Sequence, residues 1–197
     1  MTQGDHCYGL DYLYAGPLFT RQLSHVWVAF RGIQDASMRQ KGIDYFENRR
    51  RTTFVRQRHE IDNPLKHKDC AQRCWSITAS ECLRLTITRI SCVERQFYDY
   101  VGRGVPCGPD DDTLLPWAAV ASLPFASEIV LNAVDFRARQ ARLTHHNSYN
   151  FKASFNPSHS GETENPYGWQ MFHRLLSINQ GPIILMVKNY RSVMKWP

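Results

Sequence analysis

The most sharply bounded stretch of the sequence lies between Asp44 and Pro64. Asp44 followed three residues later by Glu47 resembles a capping box, the pairing that satisfies free N–H groups at a helix start. Ile43 stands before it as a hydrophobic staple. Phe46, Phe54, Val55 and Ile61 give a narrow apolar stripe, and Asn63-Pro64 closes the segment because the residue before proline is driven out of the helical region. A helix with so thin a stripe draws its stability from packing against other elements.

Arg49, Arg50, Arg51, Arg56 and Arg58 crowd this helix and carry much of the charge surplus, 24 Lys and Arg against 18 Asp and Glu, net +6. A basic run marks either binding to phosphate or acidic polymers or a solvated helix face. The run lacks the interleaved aromatics that stack on single-stranded nucleic acid, so a solvated face is expected and no nucleic acid. Hydrophobic residues at 43% and aromatics at 12% exclude a disordered chain. The clean apolar run Ile183–Val187 falls far short of the roughly 18 residues of a membrane span, so no membrane partner is expected. Met1 to Tyr8 carries Asp5 and no apolar core, so no signal peptide is visible there.

Elsewhere the punctuation predicts further helices. Pro17 precedes an apolar face of Leu18, Phe19, Leu23, Val26, Trp27 and Phe30, which Gly32 loosens or ends. Thr113 is a candidate cap for a helix with Pro116 in its first turn. Ser127-Glu128 opens another, and Asn179-Gln180-Gly181-Pro182 reads as the start of the last, with Ile183 to Val187 buried. Leu83 to Ile90 reads as a short strand. Cys107 to Asp112 is a turn. His145 to Trp169, about 25 residues rich in Asn, Ser, Pro and Gly, reads as a loop of a length that is often functional. The expectation is a mainly α chain of about five helices, long irregular connections and little sheet.

Motifs with a built-in mechanism are scarce. The sequence has no G-x-S-x-G elbow, no Walker loop and no complete dinucleotide turn; Gly102-Arg103-Gly104 is a fragment of one. Cysteines 7, 70, 74, 82, 92 and 107, with His67 nearby, lack the two tight clusters of structural zinc, so free thiols and no metal are expected. What remains is carboxylates in loops beside aromatics: Glu81 after Trp75, the Asp110-Asp111-Asp112 turn, and Trp169 with Tyr167, Phe151 and Phe155. Sugar sites combine aromatic platforms with carboxylates and amides, and glycoside hydrolysis needs two carboxyl groups flanking the bond. Composition does not assign that pair, and a triple Asp equally suits a turn or helix start.

Several strings resemble the bacterial glycoamylase-like domain family. They are Gly16 to Trp27, Phe30-Arg31-Gly32-Ile33-Gln34-Asp35, Trp75 with Ile77-Thr78-Ala79-Ser80, Pro116 to Phe125, Phe155-Asn156-Pro157, and Gln180-Gly181-Pro182-Ile183 with Asn189-Tyr190-Arg191-Ser192. The family is related to endo-β-1,2-glucanases and to the middle domain of cyclic β-1,2-glucan synthases. The resemblance implies an (α/α)6 toroid with a sugar groove at one end. It spans residues 1–197 as the C-terminal part of one such domain, with no separate second domain. It also implies a hydrolase needing no cofactor, a β-glucan or oligosaccharide partner, the preceding half of the domain as a further partner, and an exported or periplasmic parent.

The residues implied for the groove are Glu81 as the carboxylate for acid, base or sugar contact, and His25, Arg31, Asp35, Trp75, Asp111 and Trp169 as substrate contacts. Arg31 and Asp35 would share one face if helical, and Trp75 and Trp169 would stack on sugar. The sequence departs from the family pattern at Ala29 for Asp, Ser76 and Asp112 for Gly, Glu81-Cys82 for Asp-Gly, Lys188 for Glu and Val193 for Gly. Acidic strings resembling Ser-Thr-Ile-Asp and Tyr-Asp-Glu-Ala-Met are absent. The expectation is therefore a chain inactive alone. The alternatives are a non-catalytic carbohydrate-binding remnant and a basic interaction module using Arg49–Arg58.

Overall fold

The computed structural model describes residues 6–68, 72–80, 86–90, 92–140, 152–160, 169–172 and 177–192. Helix predominates among them. A two-residue ribbon of β1 (His6–Cys7) and β2 (Leu10–Asp11) leads to α1 (Phe19–Trp27), α2 (Ala36–Gln40) and α3 (Tyr45–Asp62). The hairpin β3 (Thr86–Ile90) and β4 (Val93–Phe97) follows, then α4 (Pro116–Val120) and α5 (Ser127–Asp135), which runs on as a π-helical turn, Phe136–Gln140. The antiparallel pair β5 (Ser154–Ser160) and β6 (Trp169–Phe172) precedes α6 (Ser177–Arg191). The three two-stranded sheets stay separate.

The ends of α3 follow the sequence. The Asp44 carboxylate accepts the Glu47 N–H at 2.6 Å. Asn63 ends the helix in the left-handed region at φ 44°, donating its N–H to the His59 carbonyl at 2.8 Å. The middle of α3 does not follow it. Ten of its 18 residues are buried, on more than one side of the helix. Arg49 and Arg56 are 0% and 1% exposed, Arg50 and Arg51 pair with Glu128 and Glu47, and Arg58 pairs with Asp62. The expected solvated basic face is corrected in part: Arg49 and Arg56 turn inward, while Arg50, Arg51 and Arg58 stay half-buried or exposed in ion pairs, so no continuous basic patch for an interaction module forms over Arg49–Arg58. Arg56 donates to the Ile77 carbonyl at 3.2 Å and to the Gly16 carbonyl.

α4 is the hub of the core, with all five residues buried. Trp117 and Ala118 join Leu18, Val26, Phe46, Leu115, Phe125 and Met186. Ala119 meets Trp75, Leu123, Val130 and Ala133, while Val120 meets Ile77, Leu114, Phe136, Phe155 and Trp169. Two successive alanines, Ala118 and Ala119, bring α5 and α6 close on different sides of one short helix. Leu115, not Thr113, precedes α4, and Pro116 takes the first turn, where its missing N–H costs nothing. Two further expectations change. Part of the supposed 145–169 loop is the β5–β6 pair, with Trp169 opening β6. α6 begins at Ser177, leaving Pro182 inside it and Ile184 66% exposed rather than buried.

Loop 98–113 binds the layers together. Arg103 and Asp111 are fully buried and paired twice, at 2.6 and 2.8 Å. Arg103 also donates to the carbonyls of Ser80, Tyr98 and Asp99, and Asp111 accepts the N–H groups of Tyr98 and Thr113. Asn156 on β5 donates to the Asp111 carbonyl at 2.7 Å. Gly104 has a packing role, since a Cβ there would stand 2.5 Å from the Gly16 backbone. Ser76 and Asp112, where the resemblance expects glycine, hold φ of 114° and 64°. The chain keeps a glycine-like backbone with a Cβ in place, a strained choice. At Ser76 the hydroxyl offsets it by donating to the Leu115 carbonyl at 2.8 Å and accepting from Arg137 at 3.1 Å.

Two arginine substitutions separate bracing from burden. Arg103→Met leaves Asp111 buried and unpaired and should cost about 3–5 kcal/mol in denaturant unfolding. Arg49→Met removes a buried guanidinium that lacks a hydrogen-bond acceptor among the described residues and should raise stability by roughly 1 kcal/mol.

Candidate functional site

A cavity of about 170 Å³ opens between α1 and the start of α3, lined by Thr20, Arg21, Ser24, His25, Phe30 and Tyr45. The i, i+4 spacing of Arg21 and His25 sets both on one face of α1. His25 is 4% exposed, and its Nδ1 lies 2.8 Å from the Arg21 carbonyl. That bond fixes the proton on Nδ1 and leaves Nε2 as a lone-pair acceptor. Nε2 is buried with no partner among the described residues. The ring is clamped between Phe30, at 4.7 Å, and the edge-on Phe125, at 5.0 Å. Burial, aided by the charges of Arg49 and Arg21, pulls its pKa down to about 4, so it is neutral near pH 7.

On the opposite wall Tyr45 donates its hydroxyl to Asp35 at 2.7 Å, and the other Asp35 oxygen caps α2 by accepting the Met38 N–H at 2.7 Å. These bonds hold the Asp35 carboxyl below its usual range. Arg31 is exposed and lies over the Phe46 ring at 3.5 Å. Arg31 and Asp35 belong to the connection between α1 and α2, so the expected helical-face pair does not form.

The remaining sequence-picked residues go elsewhere. Asp111 is consumed by Arg103 and two backbone N–H groups, which leaves no acceptor for a sugar. Trp75 and Trp169 are 0% and 1% exposed. Trp169 stacks on Phe155 at 5.0 Å, and Trp75 packs on Ala119 and Val130. Neither indole has a face open for stacking: Trp75 fills the space beside Ala119, and Trp169 packs with Val120 and Phe155. Glu81 lies outside the described residues.

Sequence reasoning missed Arg21 and Tyr45, although the four-residue step from Arg21 to His25 was readable. It also missed a buried lock at the far end of α3. There Asp110 sits 3.3 Å from His59 Nε2 and 3.2 Å from His67 Nε2, and Arg95 on β4 donates to His67 Nδ1 at 2.8 Å. Burial opposes the Asp110 charge, but the two imidazoles outweigh it and hold the carboxyl well below its usual range. Nothing in the spacing of 59, 67, 95 and 110 announces this cluster. Among the described residues no group of three or more His, Cys, Asp or Glu is placed to hold a metal ion.

A family profile described as "Putative glucoamylase" matches residues 2–197. The chain belongs to the glycoamylase family. It is 24% identical, over 92% of its length, to an exo β-1,2-glucooligosaccharide sophorohydrolase of Parabacteroides distasonis, but covers only 21% of that protein. Among solved structures it resembles an endo-β-1,2-glucanase of Chitinophaga pinensis, crystallised with sophorotriose and glucose. The TM-score is 0.72 at 27% identity, covering 97% of this chain and 41% of that one. A β-1,2-glucanase of Parabacteroides distasonis shares the fold with a TM-score of 0.76 at 23% identity, 99% of this chain aligning with 24% of it. The chain thus spans well under half the length of these relatives. Its mainly helical build with little sheet is a glucanase-like fold.

The buried neutral His25 predicts a pH dependence of stability. Its folded pKa of about 4 lies below the unfolded value of 6.5, so the unfolded chain takes up the proton first. Stability attributable to this residue should be full above about pH 6.5 and fall as pH drops toward 4, by on the order of 3 kcal/mol. Urea melts of the wild type and His25→Gln across pH 4–7 should show the slope flatten in the variant.

Proposed function

We propose that this chain is part of a β-glucan-acting glycoside hydrolase domain and that its α1–α3 cavity receives one sugar ring of a β-1,2-linked chain. The observation that carries the reading is the cavity itself: about 170 Å³, a little more than the ~150 Å³ apolar cavity that holds benzene, and open to solvent for the hydroxyls of a larger ring. It is walled by Phe30, Tyr45 and His25, whose buried Nε2 has no hydrogen-bond partner among the described residues. The family match and the endo-β-1,2-glucanase that holds sophorotriose and glucose support the same class of ligand. In this reading His25 Nε2 accepts a sugar hydroxyl, Arg21 and Arg31 donate to ring or glycosidic oxygens, and Asp35 positions Tyr45.

The helices then form part of an (α/α)6 toroid, a reading supported by the 41% coverage of the endo-glucanase. Cleavage needs two carboxyl groups astride the bond. At the cavity Asp35 already serves the α2 cap and Tyr45, and Glu81 remains the candidate acid. The chain alone is therefore a sugar binder rather than a hydrolase, and the second carboxylate comes from the remainder of such a domain.

Calorimetry with sophorotriose should show binding that His25→Ala weakens at least tenfold, with no reducing sugar released by the isolated chain. Reducing-sugar release abolished by Glu81→Gln would overturn the claim of inactivity. Sophorotriose that fails to bind would overturn the sugar reading.

A further inference from the structure

Among the described residues Trp75, Trp117 and Trp169 are buried, and Trp27 is 67% exposed. The sequence reads Trp27 as part of the apolar face of α1. The observed buried face is narrower: Leu18, Gln22 and Val26 follow one another at four-residue steps into the interior, and Trp27 lies off that line. An indole left in water forfeits the largest burial gain of any side chain. Exposure alone is common for apolar groups and says little. The place of this one says more.

Thr20, Ser24 and Trp27 are the exposed members of α1. Steps of four and three residues set them on one stripe of the helix. Thr20 and Ser24 line the α1 cavity, so Trp27 continues the same wall by one further turn. A helical side chain leans back over the turn before it, which carries the indole toward Ser24. The chain then leaves the helix at Val28 in extended backbone and returns Phe30 to the cavity. The mouth is thus bracketed by one ring inside, Phe30, and one outside, Trp27. Asn189 of α6 steadies this end of α1 by donating to the carbonyls of His25 and Val26, at 3.4 and 3.3 Å.

The stripe also offers polar partners. Thr20 donates its hydroxyl to the Pro17 carbonyl at 2.8 Å, which leaves its oxygen to accept from an incoming hydroxyl. Charges of both signs act on this wall: Asp35 acts on Arg21, and Asp44 opposes Arg49 and Arg21 at His25. Such a wall suits an uncharged ligand. A pyranose presents an apolar C–H face and a rim of hydroxyls, which match an indole face and the hydroxyls of Thr20 and Ser24.

We propose that Trp27 is the platform of a second sugar subsite at the mouth of the α1 cavity, stacking on the ring adjacent to the one inside. The proposal rests on the reading that the cavity takes one ring of a β-1,2-linked chain, and it names the residue that makes the site prefer two rings to one. Residues three apart on a helix surface stand roughly 5–6 Å apart, so the step from Ser24 to Trp27 is of the order of one sugar ring. The inner ring contacts Phe30, Tyr45 and His25 and owes nothing to Trp27.

Calorimetry on the full chain with glucose and with sophorose, the β-1,2-linked glucose disaccharide, tests this. Sophorose should bind roughly fivefold or more tighter than glucose, the range of one aromatic contact. Trp27→Ala should bring the ratio within about twofold while glucose affinity and the circular dichroism spectrum stay unchanged, because the residue is exposed. Trp27→Phe, which keeps a ring face, should lie between. Iodide quenching of the Trp27 emission, taken as wild type minus Trp27→Phe, should fall with sophorose and not with glucose. A sophorose preference that survives in Trp27→Ala would overturn the platform and leave the one-ring reading standing. Binding of neither sugar would overturn both. Protection from iodide that grows with protein concentration rather than with sugar would seat Trp27 against a second copy of the chain and overturn the subsite.

Discussion

The Arg103–Asp111 pair is the fixed point on which the other layers rest. It is dry, bidentate and supplied by two segments of one loop, and its leftover donors and acceptors are all used on backbone. Through it the 74–80 segment, the end of β4 and the approach to α4 are held in one place. The acids on either side extend the reach: Asp110 clasps His59 at the end of α3 and His67 beyond it, and Asp112 takes the left-handed backbone that turns the chain toward α4. A turn of three successive carboxylates is thereby converted from a surface feature into a buried junction. Its cost in desolvation is met at Asp110 and Asp111, whose carboxylates meet His59, His67, Arg103 or backbone N–H groups.

Arginine is the recurring device. A guanidinium spans several carbonyls at once, and its stem fills space like an apolar chain. Arg56, Arg103 and Arg137 use this to stitch irregular loops whose carbonyls would otherwise be buried without donors. A fold rich in long connections needs such braces, because helices and ladders satisfy only their own backbone. Arg49 shares the burial but has no hydrogen-bond acceptor among the described residues. Phe125, over which Arg49 lies, also packs with Phe30 against the His25 ring at the α1 cavity.

The helix boundaries were largely legible. Asp44, Asn63, Pro116 and Ser127 act through local chemistry, and each sits where its backbone preferences direct. The site was legible only in part. His25, Arg31 and Asp35 cluster near the cavity because they come from one continuous stretch of chain. Trp75, Asp111 and Trp169 looked equally apt for sugar, since an indole or a carboxylate in a loop has the same letters whether it faces a groove or a core. Only the neighbours decide, and the contacts with Phe155, Val130 and Arg103 form through the fold rather than through any periodicity of the sequence.

The sequence by itself determined the two ends of α3, the openings at Pro116 and Ser127, that sheet would be minor, and which family the chain belongs to, because caps, prolines and motif strings act within a few residues. The tertiary structure alone decided which arginines are buried, which tryptophans are core, and that a cavity opens between α1 and the start of α3. Those outcomes depend on burial, and burial depends on contacts between residues tens of positions apart. Arg49 and Arg56, read as part of a solvated face, are moved indoors by α3 being packed on several sides. The physical reason is plain: propensity is local, but the dielectric around a charge is set by the whole fold.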